Sequence, residues 1–159
     1  MRRIALGFAQ VLAVVLFSSG TAIAEACRED AVQLRGPWGT ARFGVELADT
    51  VRERARGLMF RESMPSSAGM LFIYRRPSFV SFWMKNTLIP LDMIFLDKHG
   101  VVQRVHHEAV PSDLTQIPGG QNILAVLEIN GGLARGLGIS QGSEMRHPAF
   151  GKDAAWPCG

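Results

Sequence analysis

The chain reads as a mostly-β domain, a small antiparallel sandwich or barrel of about seven short strands with one or two short helices. Three observations predict this. Apolar runs of strand length, such as Met70–Tyr74, Leu91–Asp97 and Ile123–Ile129, recur along the chain. Gly, Pro and Asn clusters separate them at short intervals, as turn chemistry requires. One segment alone carries a full helix-start signature.

In order, residues 1–24 read as a signal peptide: Met1-Arg2-Arg3, an apolar run from Ile4 to Phe17, then Ala22-Ile23-Ala24 as the cleavage site. The apolar run is shorter than the ~20 residues a membrane span needs, and nothing later is apolar enough to span, so no transmembrane segment is expected in the mature chain. Residues 25–42, with Gly36-Pro37 and Gly39, read as an N-terminal arm or edge strand. Phe43, Val45 and Leu47 alternate in a strand. Thr50-Val51-Arg52-Glu53 is a capping box that opens a short helix, and Gly57 ends it. Strands follow over Met70–Tyr74, closed by Arg75-Arg76-Pro77, then over 80–87, 91–97 and 101–108. Residues 110–120 read as a loop, 123–129 as a strand, Gly131-Gly132 as a turn into a short helix and 144–147 as a closing strand. The main domain is thus expected over 43–147, with an irregular tail over 148–159.

Removing residues 1–24 from the 159 leaves 135, an ordinary single-domain length. The cut also removes Arg2 and Arg3, taking 17 basic residues to 15 against 14 acidic, a net of +1. Neither this charge nor export to the periplasm or extracellular space points to nucleic acid. The expected partner is a small ligand or an envelope protein. Export permits a disulfide between Cys27 and Cys158, near opposite ends of the mature chain. Two unpaired termini and lipid attachment at Cys27 are the alternatives.

Candidate chemistry concentrates in Ser81-Phe82-Trp83-Met84-Lys85-Asn86-Thr87 and the nearby Asp92, where polar groups abut the richest aromatic patch. If 80–87 and 91–97 form a hairpin, Asn86 faces Asp92; a loop one residue longer or shorter substitutes Thr87 or Lys85. Either a polar contact closes the hairpin, or a polar floor lies under a pocket walled by Phe82, Trp83 and Met84. Glu128 shares a face with Leu124 and Val126, and is expected at an exposed strand end or in an ion pair with Arg61 or Lys85. His106 and His107 point to opposite faces of a strand and cannot chelate together; no metal or cofactor is expected. Gly131-Gly132 lacks the spacing of a phosphate loop. Ser63, Ser66 and Ser67 lack a nucleophile-elbow context. No catalytic residue is assigned. A hydrolase using Asp92 or Glu128 as base, with Lys85, Asn86 or Arg61 stabilising charge, is the alternative to a binding or structural module.

The ordered blocks Gly57-Leu58-Met59-Phe60-Arg61, Gly69-Met70-Leu71-Phe72, Phe82–Thr87 and Pro90–Phe95, followed by Leu127–Gly132, resemble domain-of-unknown-function family 192 over roughly 43–147. The resemblance implies a small, mostly-β, often exported domain with no established reaction. Position by position it singles out Arg61, Trp83, Asn86, Thr87, Asp92 and Glu128. The cysteine pair is outside that pattern.

Overall fold

The computed structural model describes residues 26–159, so the signal-peptide reading lies outside the described residues. Seven strands and two short helices form one curled sheet, β1 (Ala31–Gly36), β2 (Gly39–Ala48), α1 (Val51–Arg56), β3 (Ala68–Phe82), β4 (Leu91–Asp97), β5 (Val102–Ala109), β6 (Ile117–Asn130), α2 (Leu133–Leu137) and β7 (Glu144–Arg146). The strand order is β5-β4-β6-β3-β2-β1-β7. All pairs are antiparallel except β2 with β3. A parallel pair needs a crossover, and residues 49–67, including α1, provide it.

Several sequence expectations change here. The segment expected to be an arm is β1 and the start of β2, a hairpin whose Val32, Leu34 and Phe43 are buried in the core. The hairpin of 80–87 with 91–97 does not form. β3 continues through Arg75-Arg76-Pro77 to Phe82 and pairs with β6, absorbing the proline through register shifts between Ile73 and Ser78. β4 lies on the other side of β6 and pairs with it and with β5. Ile117–Gly120, expected to be loop, extends β6.

The sheet carries apolar side chains on both faces. One cluster includes Val32, Leu34, Leu71, Ile94, Leu127, Met145 and Phe150; the other includes Met70, Phe72, Met84, Met93, Phe95 and Val126. Adjacent residues alternate between clusters, as the pleat demands. β4 is buried on both faces from Leu91 to Leu96, which explains why its sequence is a continuous apolar run rather than an alternation.

Cys27 and Cys158 form a disulfide, with their Cα atoms 5.5 Å apart. It ties the segment before β1 to the tail. His147 assists beside it: its Nε2 lies 2.9 Å from the Glu29 carbonyl and its Nδ1 accepts from the Ala149 N–H at 3.1 Å. Burial holds this imidazole below the usual histidine pKa, so it is neutral at pH 7.

Candidate functional site

A cleft of about 210 Å³ opens on the second face, between α1, the far half of β3 and the loop after it. Its geometry follows from three local devices. The first is α1. The Thr50 hydroxyl accepts the Glu53 N–H at 3.2 Å while the Glu53 carboxylate accepts the Thr50 N–H at 3.1 Å, which completes the capping box. No residue of α1 is buried, so packing does not hold the helix down. Arg54 does: its guanidinium donates to the Asp49 carbonyl and, at 2.8 Å, to the Ile73 carbonyl, and stacks 5.1 Å from the Tyr74 ring centroid. At the helix end, Gly57 has φ 48°, and a Cβ there would meet Phe72 Cζ at 3.1 Å. Glycine lets the helix terminus sit directly on the aromatic wall.

The second device is the loop over 83–90. Buried Met84 anchors it, and its N–H donates to the Asp113 carbonyl at 2.8 Å. Asn86 takes φ 54°, a left-handed conformation that asparagine tolerates, and its carbonyl accepts the Phe60 N–H at 2.7 Å. The loop thereby presents Trp83, 43% exposed, with the Lys85 ammonium 5.2 Å from its ring centroid. Behind it, Phe82 makes edge contacts with Phe72 at 5.0 Å and Phe95 at 5.9 Å.

The third device is the floor. On β6, Glu128 stands between Met70 of β3 and Met93 of β4. It is 4% exposed, lines the cleft, and has no hydrogen-bond or ion-pair partner among the described residues. Burial alone pushes its carboxyl up to about 8, so at neutral pH it is protonated and can donate. Burial also raises the nearby Tyr74 phenol; Arg54 opposes that shift and Glu128 adds to it.

The residues singled out from sequence thus divide. Trp83, Lys85, Thr87 and Glu128 line this cleft. Arg61 lies outside it, in an exposed ion pair with Glu46 at 2.7 Å, so the expected Glu128 pair with Arg61 or Lys85 is absent. Asn86 is exposed and contributes backbone geometry.

Asp92 is on the opposite face from Glu128, because its β6 neighbour is Ile129 while Glu128 pairs with Met93. It is fully buried and accepts three backbone N–H groups: Glu108 at 2.8 Å, Gly132 at 3.0 Å and Ala134 at 2.7 Å. Gly132 is the N-cap of α2 and has no side chain with which to cap it; Asp92 of β4 supplies the missing acceptor. His107 Nδ1 lies 4.0 Å from the same carboxylate. Neither Asn86, Thr87 nor Lys85 is its hydrogen-bond partner, contrary to the hairpin reading, and a sheet separates it from Glu128, which removes a paired-carboxylate site.

Arg54, Arg56 and Tyr74 were not legible as cleft residues. The available signal was Val51–Arg56 itself, a capped helix without an apolar stripe, which has to be held by polar contacts.

A family model described as an uncharacterized ACR matches residues 33–147. The chain belongs to domain-of-unknown-function family 192. Two solved structures resemble this family member. A Novosphingobium aromaticivorans protein of unknown function is 45% identical, with a TM-score of 0.71 over 72% of this chain and 82% of its own. A Sinorhizobium meliloti protein whose description suggests a transcription regulator is 36% identical, with a TM-score of 0.72 over 76% of this chain and 94% of its own. No curated protein matches the chain. The family-192 assignment agrees with the fold and names no reaction.

Proposed function

We propose that this family-192 domain is an exported binding module that holds a small ligand in the cleft between α1 and β3, over Glu128. One observation carries the reading. Glu128 is almost wholly buried and has no protein partner among the described residues, yet its carboxyl faces a solvent-connected cleft rather than being sealed in the core, so its hydrogen-bonding capacity is open to whatever enters the cleft. Aromatic walls with a few placed polar groups are the usual make-up of a ligand site. The volume, about 210 Å³, is below the range for drug-sized ligands and suits a small molecule.

Export is supported by the N-terminal sequence pattern and by the disulfide, which a reducing cytosol disfavours. No helix among the described residues is long and apolar enough to cross a membrane. A regulator role like the one suggested for the Sinorhizobium relative finds no support in this chain, since export and a mature charge near neutral offer no footing for DNA. A hydrolase reading is weaker. The Asp92 carboxylate is filled by three N–H donors, and Glu128, protonated at pH 7, is a donor and not a base.

The test is a fragment screen on the disulfide-intact protein, read by amide and indole chemical shifts. Binding is expected to move Trp83, Tyr74, Lys85 and the Gly57–Met59 amides together. Consistent hits on another surface, with this group unmoved, would remove the proposal.

A further inference from the structure

We infer that the ligand is a small organic anion with a flat apolar body, its ring against Trp83 and Phe82, its charge drawn by Lys85 and Arg56, and a hydrogen bond accepted from Glu128. This rests on the binding reading above and adds the chemical class.

The charge balance of the cleft argues for it. Arg54, Arg56 and Lys85 all line the space, and Glu128 is its one acid. Arg54 is committed to holding α1 on β3. Arg56 and Lys85 have no ion-pair partner among the described residues. Lys85 is held at the mouth by Trp83, with its ammonium 5.2 Å from the ring centroid. A ligand that stacks on this indole brings its substituents next to a cation. At the floor, the protonated Glu128 offers an O–H donor and cancels none of the positive charge. A cationic ligand would meet three cations, and a neutral one would leave Lys85 and Arg56 unmatched.

The pH dependence has a definite sign. Groups facing Glu128 are Tyr74 on β3, Arg54 and Arg56 on α1 and Lys85 on the loop, while β4 contributes the uncharged Met93. Beyond Met93 the row reaches His106 on β5, which burial and Arg104 hold below the usual histidine value. Burial keeps Tyr74 neutral past its ordinary value of 10.0, so Glu128 is the cleft group that titrates near pH 8. Ionisation there removes the donor and sets a carboxylate against the anion, so binding weakens as pH rises.

The experiment compares phenylacetate, phenylacetamide and phenethylamine, which share a ring and differ in charge, by chemical-shift titration of the disulfide-intact protein. Phenylacetate is expected to bind at least about tenfold more tightly than the amide and still more tightly than the amine. Its affinity is expected to fall about tenfold between about pH 6 and about pH 9, by proton linkage to a group titrating near 8. Glu128→Gln, which keeps a donor and cannot ionise, is expected to flatten that profile. Lys85→Glu is expected to weaken phenylacetate about tenfold more than it weakens the amide. If the amine or amide binds as tightly as the anion, or if affinity rises with pH, the ligand class is wrong and the cleft remains a binding site. If none of the three moves any cleft resonance, both the class and the site are wrong.

Discussion

Replacing Asp92 by Asn separates a structural carboxylate from a functional one. Asp92 Oδ1 accepts from Glu108 and Gly132, and Oδ2 accepts from Ala134. Asparagine can keep its one carbonyl oxygen on the first two donors, but it then points an NH₂ at the Ala134 N–H. That leaves one buried donor unpaired, about 1–3 kcal/mol, and removes the charge from bonds worth about 1.5–3 kcal/mol each when one partner is ionised. Relief of burying an ion offsets part of this, so the expected net loss is about 3 kcal/mol. For a domain of this size that is roughly a 10 °C drop in Tm. Thermal melts by circular dichroism and urea midpoints with an unchanged slope measure it. Phenylacetate binding should survive in the folded variant, because Asp92 is across the sheet from the cleft. A loss under about 0.5 kcal/mol would refute the trans-capping argument, and a stable variant that no longer binds would return Asp92 to the functional site.

Glu128→Gln should behave oppositely. A folded pKa raised from 4.5 to about 8 means the native state holds a proton that the unfolded state releases in that window. Glu128 thus contributes full stability below about 4.5, progressively lost as pH rises through 8. The Gln variant should match wild type at pH 4 and exceed it by about 3 kcal/mol at pH 7, read from urea midpoints across pH; a parallel offset at all pH values would contradict the assigned burial. Reducing the Cys27–Cys158 bond, which closes a separation of 131 residues, should cost up to about 5 kcal/mol, seen as a lower urea midpoint, while intact mass without reductant shows two hydrogens missing. In Gly69→Ala, the new Cβ would lie 2.6 Å from the Glu128 carbonyl oxygen, backbone that the β3–β6 ladder holds in place. A loss of about 2–3 kcal/mol is expected in denaturant melts, and a neutral result would mean the two strands can separate at little cost.

Several features of this molecule are local and could be read directly. The Thr50–Glu53 capping box needs only four consecutive residues, and the structure forms both of its hydrogen bonds. Gly131-Gly132 leads into a short helix as its turn chemistry predicts. The cleft wall was half legible, because Phe82, Trp83, Lys85 and Thr87 are near neighbours on one β3 end and its loop. The error at 80–97 came from the same locality. Adjacent strands suggest a hairpin, yet both edges of β4 are taken, by β5 and β6, which leaves none for the end of β3. Asp92 looked like the partner of a nearby amide, whereas its donors come from β5 and α2, distant in sequence.

The amino-acid order alone determined the strand-rich class, the place of the helix and the family blocks, since each depends on neighbours a few positions apart. Which way the two important carboxylates face was decided only in the folded sheet. Alternation within one strand assigns sides to its own residues, but it cannot say how that strand is aligned with another. The β4–β6 register, set by packing on both faces, puts Glu128 in the open cleft and Asp92 against the end of α2.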